Sequence, residues 1–388
     1  MHTFRPLLRS AMEVLAVVLT AACLNAIRPA PARAALGPPQ TVDTHDPQTC
    51  VHTRLIDEVE EWKVQRSLQE TRDLGAPTLV EFFPWAYIES TEDHYDWAAA
   101  DRIARHAKNQ GIQIIARMGL VPSWARDDDT LETSTLNTLP EESYGDFAEF
   151  VADFAARYAG VIDRIIIWNE PNLAFEWGFS KVDPAGYTRL LEAVYEPAHV
   201  ANPNVEVLAA PLAPTLEPQG SPAGLNDLLY LQALYDAGAS RYFDALAVHT
   251  YGFTTPPDDS PAPDKLNFRR AELLRNIMVS NGDASKPVYV TETGWNDSPR
   301  WAYGVLPSQR ADWTVRALQI AAEDWPWART LCLWVLRYPA PSYSYPDDFA
   351  LLTTDFQHKP VFDAVRAYTH GDPVPEQRWL PPPEELSS

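Results

Sequence analysis

The sequence predicts an α/β fold of one domain, a (β/α)8 TIM barrel, and three observations lead to this prediction. The chain has 388 residues, 46% of them hydrophobic, which is enough for a large globular core. Strand-like and helix-like segments alternate eight times from Thr41 onward, as in a parallel barrel. No glycine-rich phosphate loop follows the first strand-like segment, which disfavours a doubly wound open sheet, the alternative that the same alternation allows.

The predicted strands are short apolar runs rich in β-branched residues, a pattern typical of buried parallel strands. The predicted helices rest on amphipathic spacing. Pro197 falls inside one of these helices and is expected to kink it or end it early. The strands are placed at 50–53, 78–83, 112–119, 164–169, 205–210, 245–249, 287–292 and 329–335, and the helices at 57–74, 97–110, 144–158, 184–201, 224–237, 266–281, 307–325 and 360–369.

Residues 1–34 have the pattern of an export signal peptide. Arg5 and Arg9 give a basic start, an apolar stretch too short to span a membrane follows, and Ala32-Arg33-Ala34 offers a cleavage site. The alternative is a lipoprotein signal, with the lipid attached to Cys23. In either case we expect the mature protein to be secreted or anchored outside the cytoplasm.

The catalytic domain is expected to span 41–371, followed by an extended proline-rich tail over 372–388. The formal net charge of -22 argues against binding to nucleic acid or to anionic membranes. No transmembrane segment is expected in the mature chain, and the sequence leaves the oligomeric state open. No metal and no cofactor are expected, because the cysteines and histidines show no metal-ligand spacing. Cys332 fits a buried apolar position, and whether it pairs with Cys50 is left open.

Two apolar runs end on a glutamate and then break: Ile166-Ile167-Trp168-Asn169-Glu170-Pro171-Asn172 and Val288-Tyr289-Val290-Thr291-Glu292-Thr293-Gly294-Trp295. A carboxylate at the end of a buried strand is costly unless it is paired. In a barrel the strand ends meet at one mouth, so Glu170 at the end of strand 4 and Glu292 at the end of strand 7 are expected to face one pocket. A pair of carboxylates facing one pocket indicates glycoside hydrolysis.

The motif Trp168-Asn169-Glu170-Pro171 resembles the acid/base motif of the clan A retaining glycoside hydrolases, which are (β/α)8 barrels. Thr291-Glu292-Thr293-Gly294-Trp295 resembles their nucleophile motif, and Ala247-Val248-His249-Thr250-Tyr251 resembles their sixth strand. The resemblance is greatest to family 39 (xylosidase-like and exopolysaccharide-cleaving enzymes) and then to family 5 (cellulase-like enzymes). Phe82-Phe83-Pro84 stands where family 5 has an arginine at the end of strand 2, which favours a family other than family 5 proper.

The resemblance implies that Glu170 is the acid/base and Glu292 the nucleophile. The charge of Glu292 is expected to raise the pKa of Glu170, and a hydrogen bond from Tyr251 to keep Glu292 ionised. Asn169 is implied to bind the sugar. His249 and Tyr251 are expected on one side of strand 6, because side chains alternate along a strand with a period of two.

Aromatic side chains near strand ends are candidate sugar-binding surfaces. Trp334 is expected either to form the floor of the sugar site or to face the helices. Arg117, near the end of strand 3, is interpreted as an ion-pair partner, with orientation of a carboxylate or binding of an acidic sugar as alternatives. The acidic run at 127–129 is interpreted as a solvated loop, with calcium binding as the alternative. The other tryptophans just after strand ends are Trp85, Trp124, Trp177, Trp295 and Trp301, of which Trp85 and Trp295 are the selected candidates for substrate binding.

These features predict an extracellular retaining β-glycoside hydrolase that acts on a polysaccharide or oligosaccharide with two glutamates. One alternative is a barrel that binds carbohydrate without cleaving it, as an adhesin or sensor. A metal-dependent barrel hydrolase is disfavoured, because Val51-His52-Thr53 supplies only one histidine where that class has a His-x-His pair. The sequence leaves the sugar, the linkage and endo or exo action open.

Overall fold

Strands and helices alternate along the chain in the computed structural model, which describes residues 35–126 and 135–375. The described residues from Leu36 onward belong to one compact unit. The predicted export segment 1–34, the acidic run 127–129 and most of the tail lie outside the described residues.

Eight described strands form a closed parallel barrel in sequence order, so the predicted fold class is confirmed. The barrel closes where β1 pairs with β8, with Cys50 opposite Cys332. Every strand boundary lies within two residues of the predicted one. The strands are β1 (Thr49–His52), β2 (Thr78–Pro84), β3 (Gln113–Gly119), β4 (Arg164–Ile167), β5 (Glu206–Ala209), β6 (Ala245–Tyr251), β7 (Val288–Gly294) and β8 (Ala328–Leu333).

Each strand is followed by a helix that packs on the outside of the barrel, and all eight predicted helices are found. The predicted helices at 57–74 and 266–281 begin later than predicted, at Glu61 and Ala271, and a short 3-10 turn precedes each of them, Leu55–Asp57 and Phe268–Arg270. The helices are α1 (Glu61–Asp73), α2 (Ala98–Gln110), α3 (Tyr144–Arg157), α4 (Pro184–Ala201), α5 (Asp227–Asp236), α6 (Ala271–Ser280), α7 (Pro307–Asp324) and α8 (Pro360–His370).

Pro197 lies inside α4 and does not end it early, since the helix continues to Ala201. Pro197 is exposed, whereas Val194 and Ala198 on the adjoining face of the helix are fully buried. The buried face therefore holds the helix through the position where proline removes a backbone hydrogen bond.

The hydrophobic core has two layers, one inside the barrel and one between the sheet and the helices. A disulfide joins Cys50 to Cys332 inside the barrel and links the first strand to the last. The pairing that the sequence left open is therefore present. The inner layer comprises Cys50, Val80, Ile115, Ile166, Leu208, Ala245, Ala247, Tyr289 and Cys332.

Among the described residues, no helix is both long and apolar enough to cross a membrane.

Candidate active site

A layer of polar and aromatic side chains covers the inner core at the C-terminal mouth of the barrel. Its members lie two residues beyond inner-core residues of the same strands, so the period of two turns them to the barrel axis. The C-terminal mouth is where the functional site of a barrel is expected, because the strand ends converge there. The layer includes His52, Phe82, Arg117, His249 and Trp334, which follow Cys50, Val80, Ile115, Ala247 and Cys332.

Glu170 reaches the mouth through an irregular turn at the end of β4. Trp168 and Glu170 have positive φ angles of 79° and 41°, in the left-handed region that non-glycine residues rarely adopt. The Glu170 amide donates to the Pro211 carbonyl at 3.0 Å, and the buried side chain of Asn172 bonds the backbone of Ala213 and Leu225. These bonds hold a costly backbone conformation in place, as is common at functional sites.

Glu292 reaches the mouth through a β-bulge. Val248 of β6 pairs with Val290 of β7, whereas the next residue, His249, pairs with Glu292, so Thr291 is the extra residue. Strict alternation from the inward-facing Tyr289 would place Glu292 toward the helices. The bulge reverses the alternation and turns Glu292 to the mouth beside His249.

Glu170, His249 and Glu292 form the centre of the site. His249 Nδ1 lies 2.7 Å from Glu170 Oε1, and His249 Nε2 lies 3.5 Å from Glu292 Oε1. An oxygen of Glu170 and an oxygen of Glu292 lie within 4.8 Å of each other. This separation is close to the roughly 5–5.5 Å between the carboxyl groups of retaining glycosidases and well below the roughly 6.5–9.5 Å of inverting ones.

Glu292 is surrounded by hydrogen-bond donors. The Tyr251 hydroxyl donates to Oε2 at 2.7 Å, and Arg117 Nη1 donates to Oε1 at 3.2 Å. Arg117 Nη1 also donates to Asn169 Oδ1 at 2.9 Å. Burial raises the pKa of Glu292 above its usual value, while His249, Arg117 and the Tyr251 hydroxyl oppose the rise. The donors favour the charged carboxylate, as a nucleophile requires.

The Glu170 carboxyl group has fewer hydrogen-bond partners than that of Glu292, with His249 as its close side-chain partner. Burial raises the pKa of Glu170 to about 7, and the positive charge of Arg117 opposes the rise. The direction agrees with the expectation from the sequence, but the main cause is burial rather than the charge of Glu292. Burial also lowers the pKa of His249 to about 4, so its ring is neutral near pH 7. A neutral ring with its proton on Nε2 points that proton at Glu292 and accepts the Glu170 proton on Nδ1.

His52, whose isolated position in the sequence disfavours a metal site, lies next to Glu292. Its Nδ1 is 2.9 Å from the Thr53 carbonyl, and its Nε2 is 3.8 Å from Glu292 Oε1. Burial keeps the pKa of His52 well below its usual value. His52 therefore adds bulk beneath Trp334, whose ring centroid is 4.5 Å away, without adding charge.

The carboxylates open into a cavity of about 380 Å3. Trp334 lines this cavity, so of the two orientations that the sequence allowed, it faces the mouth. Trp301 also lines the cavity and stacks on Tyr345 with ring centroids 4.8 Å apart. Asn169 and Tyr251 are further lining residues, so the structure brings them together with Glu170 and Glu292.

The other two candidate tryptophans are packed into the protein. Trp295 borders the cavity, but its ring is only 1% exposed and lies so close to Gly252 that any side chain there would overlap it. Trp85 is fully buried, donates to Glu89 Oε2 at 2.7 Å and packs on Phe150 of α3. Trp85 does not border the cavity, because the chain forms a one-turn helix directly after β2 that carries it under the rim.

Glu176 is a third carboxylate of the cavity, at a position that is not among the candidates from the sequence. It lies in a 3-10 turn, Phe175–Trp177, beyond β4, where no strand-end pattern points to it. The Trp168 indole donates to the Glu176 carbonyl at 2.8 Å, and Asn137 Nδ2 donates to Glu176 Oε2 at 3.2 Å. Burial raises the pKa of Glu176 to about 7, the negative charge of Glu170 adds to the rise, and Arg117 and a hydrogen bond from Asn169 oppose it.

The described residues contain one group whose side chains could approach a single cation, namely Glu170, His249 and Glu292. The atoms that could bind a cation already contact one another. His249 hydrogen bonds to Glu170 and lies close to Glu292. The arrangement suits proton transfer between these groups without requiring a metal.

The solved structures whose fold matches this chain include several glycoside hydrolases. A family 39 glycoside hydrolase from Bacteroides cellulosilyticus aligns with a TM-score of 0.67 and 20% identity over 86% of this chain and 65% of its own. A monomeric beta-xylosidase from Caulobacter crescentus aligns with a TM-score of 0.61 and 19% identity over 86% of this chain and 69% of its own. A GH5_18 protein from Streptomyces cattleya, solved with GlcNAc, aligns with a TM-score of 0.62 and 18% identity over 86% of this chain and 82% of its own.

The chain has the barrel fold of the clan A glycoside hydrolases. It spans slightly less than two thirds of the length of the Bacteroides protein. No family model and no curated protein matches the sequence.

Proposed function

We propose that this protein is a retaining β-glycoside hydrolase that cleaves an oligosaccharide or polysaccharide with Glu170 as acid/base and Glu292 as nucleophile. The observation that carries the proposal is the distance of at most 4.8 Å between oxygens of the two carboxylates at the barrel mouth. This separation leaves room for a sugar carbon between the carboxylates but not for an additional water on the opposite face of the ring. The solved family 39 and GH5_18 structures with the same barrel support the same class of reaction.

In the first step, the Glu292 carboxylate attacks the anomeric carbon, and Glu170 gives its proton to the departing glycosidic oxygen. Tyr251 and Arg117 hold Glu292 ionised and aimed. Glu170 has only His249 as a close hydrogen-bonding partner among the described side chains, and burial raises its pKa to about 7, so it carries the proton near neutral pH. General acid assistance of this kind contributes about 10^2- to 10^4-fold to rate.

In the second step, the bond between Glu292 and the sugar no longer carries the negative charge that faced Glu170. The pKa of Glu170 falls as a result, and its carboxylate can take a proton from water that attacks the same anomeric carbon. The water attacks from the face that the leaving group vacated, and the bond between the sugar and the Glu292 carboxylate breaks. Each displacement inverts the anomeric carbon, so the two together leave its configuration unchanged.

We further propose that the enzyme works outside the cytoplasm. The disulfide between Cys50 and Cys332 supports this location, because disulfides persist mainly in oxidising compartments. The predicted export segment 1–34 supports it independently. Expression with and without residues 1–34, followed by fractionation of cells and medium, tests the location. Retention of the full-length protein in the cytoplasm would contradict it.

The experiment that tests the activity is release of sugar from a panel of aryl β-glycosides and β-linked polysaccharides. Wild-type protein is compared with Glu292→Gln, and melting curves confirm that both are folded. We expect release by the wild type and loss of release in the variant. Binding of sugars without release by either protein would instead support the alternative, a carbohydrate-binding barrel.

A further inference from the structure

The cavity has one more carboxyl group than the proposed reaction requires. Hydrolysis uses Glu170 and Glu292, whereas Glu176 is a third carboxylate facing the same space. Among the described residues that line the cavity, Arg117 is the only cationic side chain. Arg117 is already engaged with Glu292 at 3.2 Å and with Asn169 at 2.9 Å, so its charge is not free for a ligand.

Glu176 is held in position by residues that leave part of its carboxylate facing the cavity. Its backbone is fixed by the Trp168 indole, and its Oε2 accepts from Asn137 at 3.2 Å. Asn169 accepts from Arg117 and also bonds to the Glu176 side chain. The side chain is only partly buried, so a ligand can reach the carboxylate. The carboxylate oxygens can accept further hydrogen bonds but cannot donate any when ionised.

Glu176 also lies where two cavities meet. A second cavity of about 180 Å3 adjoins the first, and the two share Arg117, Asn169 and Glu176 as lining residues. Apolar side chains of Phe82 and Leu120 form part of the wall of the second cavity. A sugar that occupies the main cavity therefore meets Glu176 on the side next to Asn169.

We propose that Glu176 is a specificity-determining residue, which accepts hydrogen bonds from uncharged or cationic groups of the sugar and excludes sugars that carry a carboxylate. The proposal rests on the proposed glycosidase function and specifies its substrate class as neutral or amino sugars rather than uronic acids. A uronic acid would bring a further negative charge into a cavity of about 380 Å3 whose only lining arginine is already engaged. The net charge of -22 adds to the repulsion at longer range.

The test compares matched aryl β-glycosides of one ring configuration, such as glucoside and glucuronide, on the wild type and on Glu176→Gln. We expect the wild type to have at least a 100-fold higher kcat/KM on the neutral member of its preferred pair. Because Gln keeps the size and one acceptor oxygen but loses the charge, we expect kcat/KM on the neutral sugar to fall roughly 10-fold. The ratio of kcat/KM on the neutral substrate to kcat/KM on the acidic substrate is expected to narrow by more than 10-fold, because a lower KM for the acid adds to the fall on the neutral sugar.

The control is Glu196→Gln, which removes one negative charge from an exposed position on α4 that lines neither cavity. This control variant is expected to leave the ratio of kcat/KM on the neutral and acidic substrates unchanged. A merely structural role of Glu176 would lower activity on both substrates equally, without changing the ratio, and would overturn the proposal. Preference of the wild type for the uronide would overturn it as well.

Ligand-observed NMR with the free neutral sugar and the matching uronic acid gives a readout that is independent of turnover. Binding of the neutral sugar with exclusion of the acid supports the proposal even if no glycoside is cleaved. Failure to cleave any glycoside would contradict the proposed function, whereas stronger binding of the acid would contradict the role of Glu176.

Discussion

A carboxylate held by an arginine and a tyrosine occurs at both ends of the barrel. At the base, Glu206 accepts from Arg164 at 2.9 Å and from Tyr289 at 2.9 Å. At the mouth, Glu292 accepts from Arg117 at 3.2 Å and from Tyr251 at 2.7 Å. The same three residue types thus make the same two contacts on opposite sides of the inner core.

The two groups differ in exposure and in charge balance. The Glu206 side chain is 34% exposed and faces one arginine, whereas the Glu292 side chain is 9% exposed and shares one arginine with Glu170 and Glu176. At the base, one carboxylate is paired with one arginine near solvent, an arrangement that costs the fold little stability. Buried carboxylates in excess at the mouth cost stability, so their presence indicates a functional site.

The largest difference is expected from the matched variants Glu292→Gln and Glu206→Gln. Loss of the nucleophile should lower kcat by about 10^4-fold or more, because the covalent step cannot occur. The Glu206 change should leave kcat within about 2-fold and lower the free energy of unfolding by about 1 kcal/mol, as for a partly exposed ion pair. Steady-state kinetics and urea denaturation of both variants measure these effects, and equal losses of activity would show that the two ends do not differ as described.

The second prediction concerns Glu170→Ala. Activity on a substrate with a poor leaving group should fall by about 10^2- to 10^4-fold, while an activated aryl glycoside should be affected less in its first step. Azide should restore turnover of the activated substrate, since a small anion can replace the water that Glu170 activates. Kinetics with added azide measure the rescue, and its absence in a folded variant would count against the acid/base role.

The third prediction separates the stability of the barrel from its chemistry. Replacing both Cys50 and Cys332 by alanine should lower the free energy of unfolding by about 2–5 kcal/mol, because the disulfide joins residues far apart in the chain. The kcat should change little, since neither residue lines the cavity. Thermal unfolding and kinetics of the oxidised wild type and the double variant test this, and a large loss of kcat with unchanged stability would contradict it.

The fourth prediction is a bell-shaped pH dependence of kcat/KM. Activity should rise with pH as Glu292 ionises, at a pH above the usual value for glutamate because burial raises its pKa. It should fall as pH increases through about 7, where Glu170 loses its proton. Tyr251→Phe removes a contact that lowers the pKa of Glu292, so the rising side should move to higher pH while the falling side stays in place. A shift of the falling side alone would reverse the assignment of the two glutamates.

Most of the fold could be predicted because its signals are local. The apolar strand runs and the amphipathic helices each carry their own pattern, and eight repeats of that pattern leave few ways to close a sheet. The continuation of α4 past Pro197 depends on packing of the buried face of the helix, which no local pattern reports.

The site was predictable in part. Glu170 and Glu292 could be placed at the mouth because each ends a buried strand, but the turn at Trp168 and the extra residue Thr291 that orient them are backbone features without a clear sequence signal. Trp85 was placed in the cleft from its position after a strand, whereas a one-turn helix buries it. Glu176 was missed because it lies on a connecting turn, and only the folded chain brings it to the cavity.

The most direct test of the two-glutamate account is the configuration of the first sugar released from a β-glycoside, followed by proton NMR before the anomers equilibrate. The distance of at most 4.8 Å between carboxylate oxygens predicts that the β-anomer appears first. If the α-anomer appears first, the reaction inverts the configuration, and Glu292 cannot be the nucleophile of a covalent intermediate.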